Sequence, residues 1–128
     1  MNERALNTLK RSDKGSLAPA PVLAGSLGEV AQVISAWPDV LATSHWDLND
    51  QTCLDGIDFY VADQELGHIH LDGSLHLATS PELGAAMIAQ GLARRFPYAS
   101  GWVCEKIDTI GSDAAVDLFP RNYERLAL

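Results

Sequence analysis

The sequence predicts an α+β domain, a mostly antiparallel sheet of about five strands with helices packed on one face. Three observations carry that prediction. The hydrophobic pattern runs helix, strand, three-strand meander, helix, strand, helix, whereas a doubly wound chain would alternate strand and helix throughout. Two alternating segments meet at Asp72-Gly73-Ser74, a turn that makes them a hairpin. The 128 residues, 47% hydrophobic and 20% charged, fit one domain that can bury a core without disulfides or a structural metal.

Each element has its own signal. Ser26-Leu27-Gly28-Glu29 has capping-box spacing, and Leu27, Val30, Ala31, Ile34 and Trp37 follow at helical intervals until Pro38 ends the run. Val40 to Trp46 reads as a strand, and the polar stretch Asp47 to Gly56 as a loop. Ile57, Phe59 and Val61 alternate with Asp58 and Tyr60, which predicts a strand with one buried face and one wet face. Leu66 to Leu71 and Leu75 to Thr79 form the hairpin. A two-residue turn would pair Ile69 with His76 and mix polar with apolar. A three-residue loop, with Gly73 left-handed, pairs Leu71 with Leu75, Ile69 with Leu77 and His70 with His76.

Ser80-Pro81-Glu82 opens the next helix with a capping oxygen, a proline at the first position and an acid in the first turn. Leu83, Met87 and Ile88 supply its apolar stripe, and Gly91-Leu92 resembles a C-terminal cap. Trp102 to Ile107 reads as a strand. Ser112-Asp113 starts the last helix, which Pro120 should kink or split near residues 118–120.

Residues 1–25 are expected to form a flexible arm and 26–128 the single domain. Arg4, Lys10, Arg11 and Lys14 are not followed by the continuous apolar core of a secretory signal, so a cytoplasmic protein is expected. Cys53 and Cys104 lack metal-site or redox spacing and are expected to be reduced thiols, in a loop and a strand. The formal charge of −8 argues against nucleic acid and anionic membranes and suits a basic partner.

Glu65-Leu66-Gly67-His68-Ile69-His70, Ser100-Gly101-Trp102-Val103 and Asn122-Tyr123-Glu124-Arg125 occur in an order that resembles the bacterial luciferase-like domain family, over about residues 57–126. The resemblance implies a small α+β domain, much of whose family is of unknown function, and it does not imply light emission. Pro120 and His76 depart from the family pattern. The β-β-β-α-β-α order of elements is also similar to that of MmcQ/YjbR double-wing proteins, a likeness of topology that would imply DNA binding and that the net charge disfavours.

The chemistry-bearing candidates gather on one strand face. With the hairpin register above, His68, His70 and His76 lie opposite Ile69, Leu71, Leu75 and Leu77. An H-x-H strand with a third histidine on its neighbour is a workable triad for zinc or another divalent metal, with Glu65 or Asp72 as a further ligand or supporting acid. As a site for a non-metal ligand the same face offers His68, His70, Trp102 and Tyr60, with Trp46 and Tyr98 as weaker aromatic candidates. Ser100 lacks a nucleophile-elbow context, Arg94-Arg95 follow a helix end that favours cations anyway, and Asp47, Asn49, Asp50 and Asp55 lack the pattern of a calcium loop. The function expected is an acidic module that binds a protein or small molecule; the alternative is a metal-dependent hydrolase or oxidoreductase built on His68, His70 and His76.

Overall fold

A computed structural model describes residues 16–127. In chain order the elements are α1 (Gly25–Ser35), β1 (Val40–Trp46), β2 (Leu54–Val61), β3 (Gln64–His70), β4 (Ser74–Leu77), α2 (Pro81–Ala89), β5 (Arg94–Arg95), β6 (Val103–Lys106), α3 (Ile107–Ile110), α4 (Ser112–Val116) and α5 (Pro120–Ala127). The six described strands form one open antiparallel sheet in the order β1-β2-β3-β4-β6-β5. This is the predicted α+β class with one more strand, because two residues at Arg94–Arg95 are too short to show a period.

One sheet face carries Ile57, Phe59, Val61, Ile69, Leu75, Leu77 and Val103, each no more than 2% exposed. Against it pack Val30 and Ile34 of α1, Met87 of α2, Ile107 of α3, Ala115 of α4, Leu126 of α5 and the intervening Phe119. The helices join that packing through ends the sequence mostly announces. Ser80 Oγ accepts from Leu83 N at 3.1 Å, with Pro81 at the first helical position. At the other end of α2, Gly91 N donates to Ile88 O and Leu92 N to Met87 O, both at 3.0 Å, which is a Schellman closure. The expected stripe is corrected at Ile88, which is 38% exposed. Pro120 splits the last helical run as expected, and it opens α5.

The first helix departs from the expected capping box. It begins two residues earlier, after Ala24, with no side-chain cap, so Ser26 and Glu29 lie inside its first turns. Residues of the expected arm are described from Ser16 onward, and the rest fall outside the described residues. Pro19 bridges to Thr43, and Ala18 O accepts from Ser44 N at 2.9 Å, so this segment runs beside β1.

The hairpin register differs from expectation by two residues in the sum of paired positions. Ile69 faces Leu75, and His68 faces His76. A shift of two leaves every side chain on its expected face, since strands repeat every second residue. Gly73 has the expected positive φ, at 90°. Leu71, expected on the core face, falls into the turn and is 41% exposed.

Two irregularities in the ladders decide what reaches the other face. On β2, Asp55 is an extra residue between the pairs His45–Gly56 and Trp46–Leu54. On β3, Leu66 is an extra residue between the pairs Phe59–Gly67 and Tyr60–Glu65. Each bulge resets the alternation by one. Leu66 and Ile69 therefore both enter the core, and Glu65 joins His68 on the opposite face although three positions separate them. Asp55 joins Asp58 in the same way.

The predicted wet face of β2 is a second correction. Asp58 is fully buried and Tyr60 is 3% exposed, so both faces of this central strand are covered.

A four-imidazole cluster on the second sheet face

The chain contains four histidines, and the fold brings all of them together. His45 comes from β1, His68 and His70 from β3, and His76 from β4. The rings of His45 and His68 stack at 4.4 Å, His70 stands edge-on to both at 4.8 Å, and His76 lies 4.9 Å from His68 and 4.7 Å from His70. Glycine permits this closeness. A side chain at Gly67, between Leu66 and His68, would press on the carbonyl of His76, since its Cβ would stand 2.5 Å from that oxygen.

Three of the rings are each held by a different carboxylate through Nδ1. His45 Nδ1 lies 2.8 Å from Asp58 Oδ1, His68 Nδ1 2.7 Å from Glu65 Oε2, and His70 Nδ1 2.6 Å from Asp55 Oδ2. An ionised carboxylate can only accept, so it fixes the proton on Nδ1 and leaves Nε2 with its lone pair outward. Two of the three anchoring acids, Asp55 and Glu65, owe their place on this face to the bulges. Nδ1 of His76 stands 3.0 Å from Nε2 of His68 and 3.3 Å from Nε2 of His70. Ring nitrogens of His45, His68 and His70 lie within 4.8 Å of one another. Burial, reinforced by the neighbouring imidazoles, holds His76 down to about 4, so near neutral pH it is uncharged.

Aromatic residues border the cluster toward β5 and β6. Trp102 lies 5.7 Å from the His68 ring and Phe96 4.6 Å from that of His76. Tyr98 sits edge-on to Phe96 at 5.5 Å and is 86% exposed. Tyr60 lies two residues along β2 from Asp58, with its Cα opposite that of Glu65. The expected grouping of His68, His70 and His76 is therefore present, with Trp102 beside it and Glu65 as its supporting acid.

Asp72 is elsewhere. Its carboxylate accepts from Ser74 N at 2.8 Å in the hairpin turn. The Asp47 and Asp50 carboxylates likewise accept from the backbone of their own loop. Sequence reading misses His45, Asp58 and Phe96 as members of the site, and it places Asp55 only in an acidic loop. For His45 and Asp58 the signal was weak but present: a histidine and an aspartate at alternating positions of two strands that proved adjacent.

Other features are structural. The Asn122 amide, fully buried, donates to Leu66 O at 2.9 Å and Ala78 O at 3.1 Å. Arg125 donates to Asn122 Oδ1 at 3.0 Å and to Ala78 O at 2.9 Å. This pair thus secures the β3 bulge and the end of β4. Both cysteines are free thiols, Cys53 exposed and Cys104 half-buried on β6. A cavity of about 880 Å³ lies between α1 and β1 and is walled by apolar side chains such as Leu23, Val40 and Phe59. It is remote from the imidazoles. Among the described residues no helix is long and apolar enough to cross a membrane.

Fold and site together define an α+β sheet domain with a carboxylate-anchored imidazole cluster. Residues 63–116 match the family model described as Luciferase domain, which is a similarity over that span. The match is narrower than the resemblance read from motifs, and it contains Glu65, His68, His70 and His76 but not His45, Asp55 or Asp58. No curated protein and no solved structure matches the chain.

Proposed function

We propose that this domain binds a divalent transition metal through His68, His70 and His76. The observation that carries the proposal is a shortage of protons where three ring nitrogens meet. With Nδ1 of His68 and His70 committed to Glu65 and Asp55, both Nε2 atoms are acceptors, and both face Nδ1 of His76. One proton on that nitrogen satisfies one contact and leaves the other as two opposed lone pairs. A Lewis acid placed among them satisfies all three. The two distances to His76 Nδ1, 3.0 and 3.3 Å, suit it, since two nitrogens about 2.0–2.1 Å from one tetrahedral zinc lie about 3.4 Å apart. The carboxylates then act as outer partners that orient the rings and raise their basicity.

This reading sharpens the interaction module expected from composition into one whose first ligand is a metal. Protein or small-molecule partners would reach that metal past Phe96, Trp102 and exposed Tyr98. A bound metal with an open position would supply Lewis-acid chemistry, hydrolytic or oxidative.

Elemental analysis of untagged protein, beside the His68→Ala/His70→Ala/His76→Ala variant, tests the proposal. About one metal per chain is expected, and none in a variant that keeps its far-ultraviolet circular dichroism. Wild-type protein that takes up no zinc, cobalt, nickel, manganese, iron or copper on equilibration would overturn it.

A further inference from the structure

The geometry points to His45 as a fourth imidazole ligand of the metal centre, donating through Nε2. The inference rests on the metal reading above and extends it to a residue outside the family match. His45 is 5% exposed, and its Nε2 has no hydrogen-bond partner among the described residues. Asp55 Oδ2 stands 3.9 Å from it, beyond hydrogen-bond reach, and already receives His70 Nδ1 at 2.6 Å. A buried imidazole nitrogen without a partner is costly, by about 1–3 kcal/mol in typical proteins, and needs a reason.

The rest of the ring is held as the other ligands are held. Its Nδ1 meets Asp58 Oδ1 at 2.8 Å, in the same carboxylate-to-Nδ1 arrangement that fixes His68 and His70. Asp58 is fully buried and also stands 3.8 Å from His68 Nδ1, so one acid ties the orientation of the His45 ring to that of its stacked neighbour. Ring nitrogens of His45, His68 and His70 lie within 4.8 Å of one another, and tilting the His45 ring out of its stack on His68 brings its Nε2 into the same coordination sphere. An all-nitrogen shell of four neutral imidazoles selects zinc, nickel, copper or cobalt, and gives magnesium and calcium no oxygen ligands.

The test uses full-length wild-type protein loaded with zinc or cobalt, beside His45→Ala and the bulkier His45→Phe. Zinc-edge X-ray absorption counts imidazole ligands, the cobalt visible spectrum reports their geometry, and competition with a chelator gives the metal dissociation constant. Four imidazoles are expected in wild type and three in the variants, with metal affinity reduced at least about tenfold. Free imidazole should restore the cobalt spectrum of His45→Ala. Three imidazoles in wild type, or a folded variant with unchanged spectrum and affinity, would overturn the assignment of His45 and leave the three-histidine centre standing. Should neither variant fold, the wild-type count decides alone. Wild-type protein that binds no metal removes both proposals together.

Discussion

Asn122 shows how much one side chain can hold in a small domain. Its buried amide serves two carbonyls, that of Leu66 in β3 and that of Ala78 just past β4, and Arg125 completes the arrangement. Asn122→Leu would leave those carbonyls without that donor, at a cost of about 1–3 kcal/mol, seen as an earlier midpoint in urea unfolding with an unchanged slope. Phe119, fully buried and in edge contact with both Phe59 and Trp37, anchors the helix side. Phe119→Ala should cost about 3–5 kcal/mol in the same assay. The opposite sign is expected at Ala62, which holds φ at 56° in the two-residue turn between β2 and β3. A left-handed alanine carries roughly 1 kcal/mol of strain that glycine lacks, so Ala62→Gly should raise the midpoint modestly.

At the scale of elements, the strands place the chemistry by parity. The H-x-H spacing of β3 and the position of His76 on β4 were legible from alternation alone, and they survived an error of two in register because two is the strand period. The bulges at Asp55 and Leu66 were not legible. They depend on which residue of a neighbouring strand lies opposite, and local patterning holds no record of that. The missing capping box at Ser26 has a similar origin, since the helix start followed its packing against the sheet instead of a local cap. Gly67 permits β3 and β4 to approach beside the imidazoles. Gly67→Ala should push the two strands apart, lowering both thermal stability and metal affinity, whereas Gly73→Ala in the hairpin turn should lower stability without touching the metal. Chelator competition on the two variants separates these effects.

For the molecule as a whole, the sheet order is what assembles the site. His45 and His76 are 31 residues apart in sequence and join one cluster, through His68 and His70, only because β1, β2, β3 and β4 lie side by side. Strand order was beyond the sequence reading, and with it His45 and Asp58. Metal binding by the folded form alone should couple to global stability. Zinc at 100 times its dissociation constant adds about 2.7 kcal/mol, a rise in Tm of roughly 10 °C for a domain of this size, absent in the His68/His70/His76 triple alanine variant.

The bulges also give the protein an unusual mutational grammar. Substituting Leu66 leaves the count of residues along β3 intact, so Glu65 stays in phase with His68. Deleting Leu66 restores an unbroken ladder, and regular alternation then turns the Glu65 carboxylate toward the helices and away from the imidazole it anchors. On β2 the extra residue is itself the anchor, so deleting Asp55 removes the bulge together with the carboxylate that holds His70. Insertions and deletions in these two strands are therefore read more severely than replacements, and a survey of tolerated variants should find the segment from Asp55 to His70 permissive in letter at several positions but strict in length.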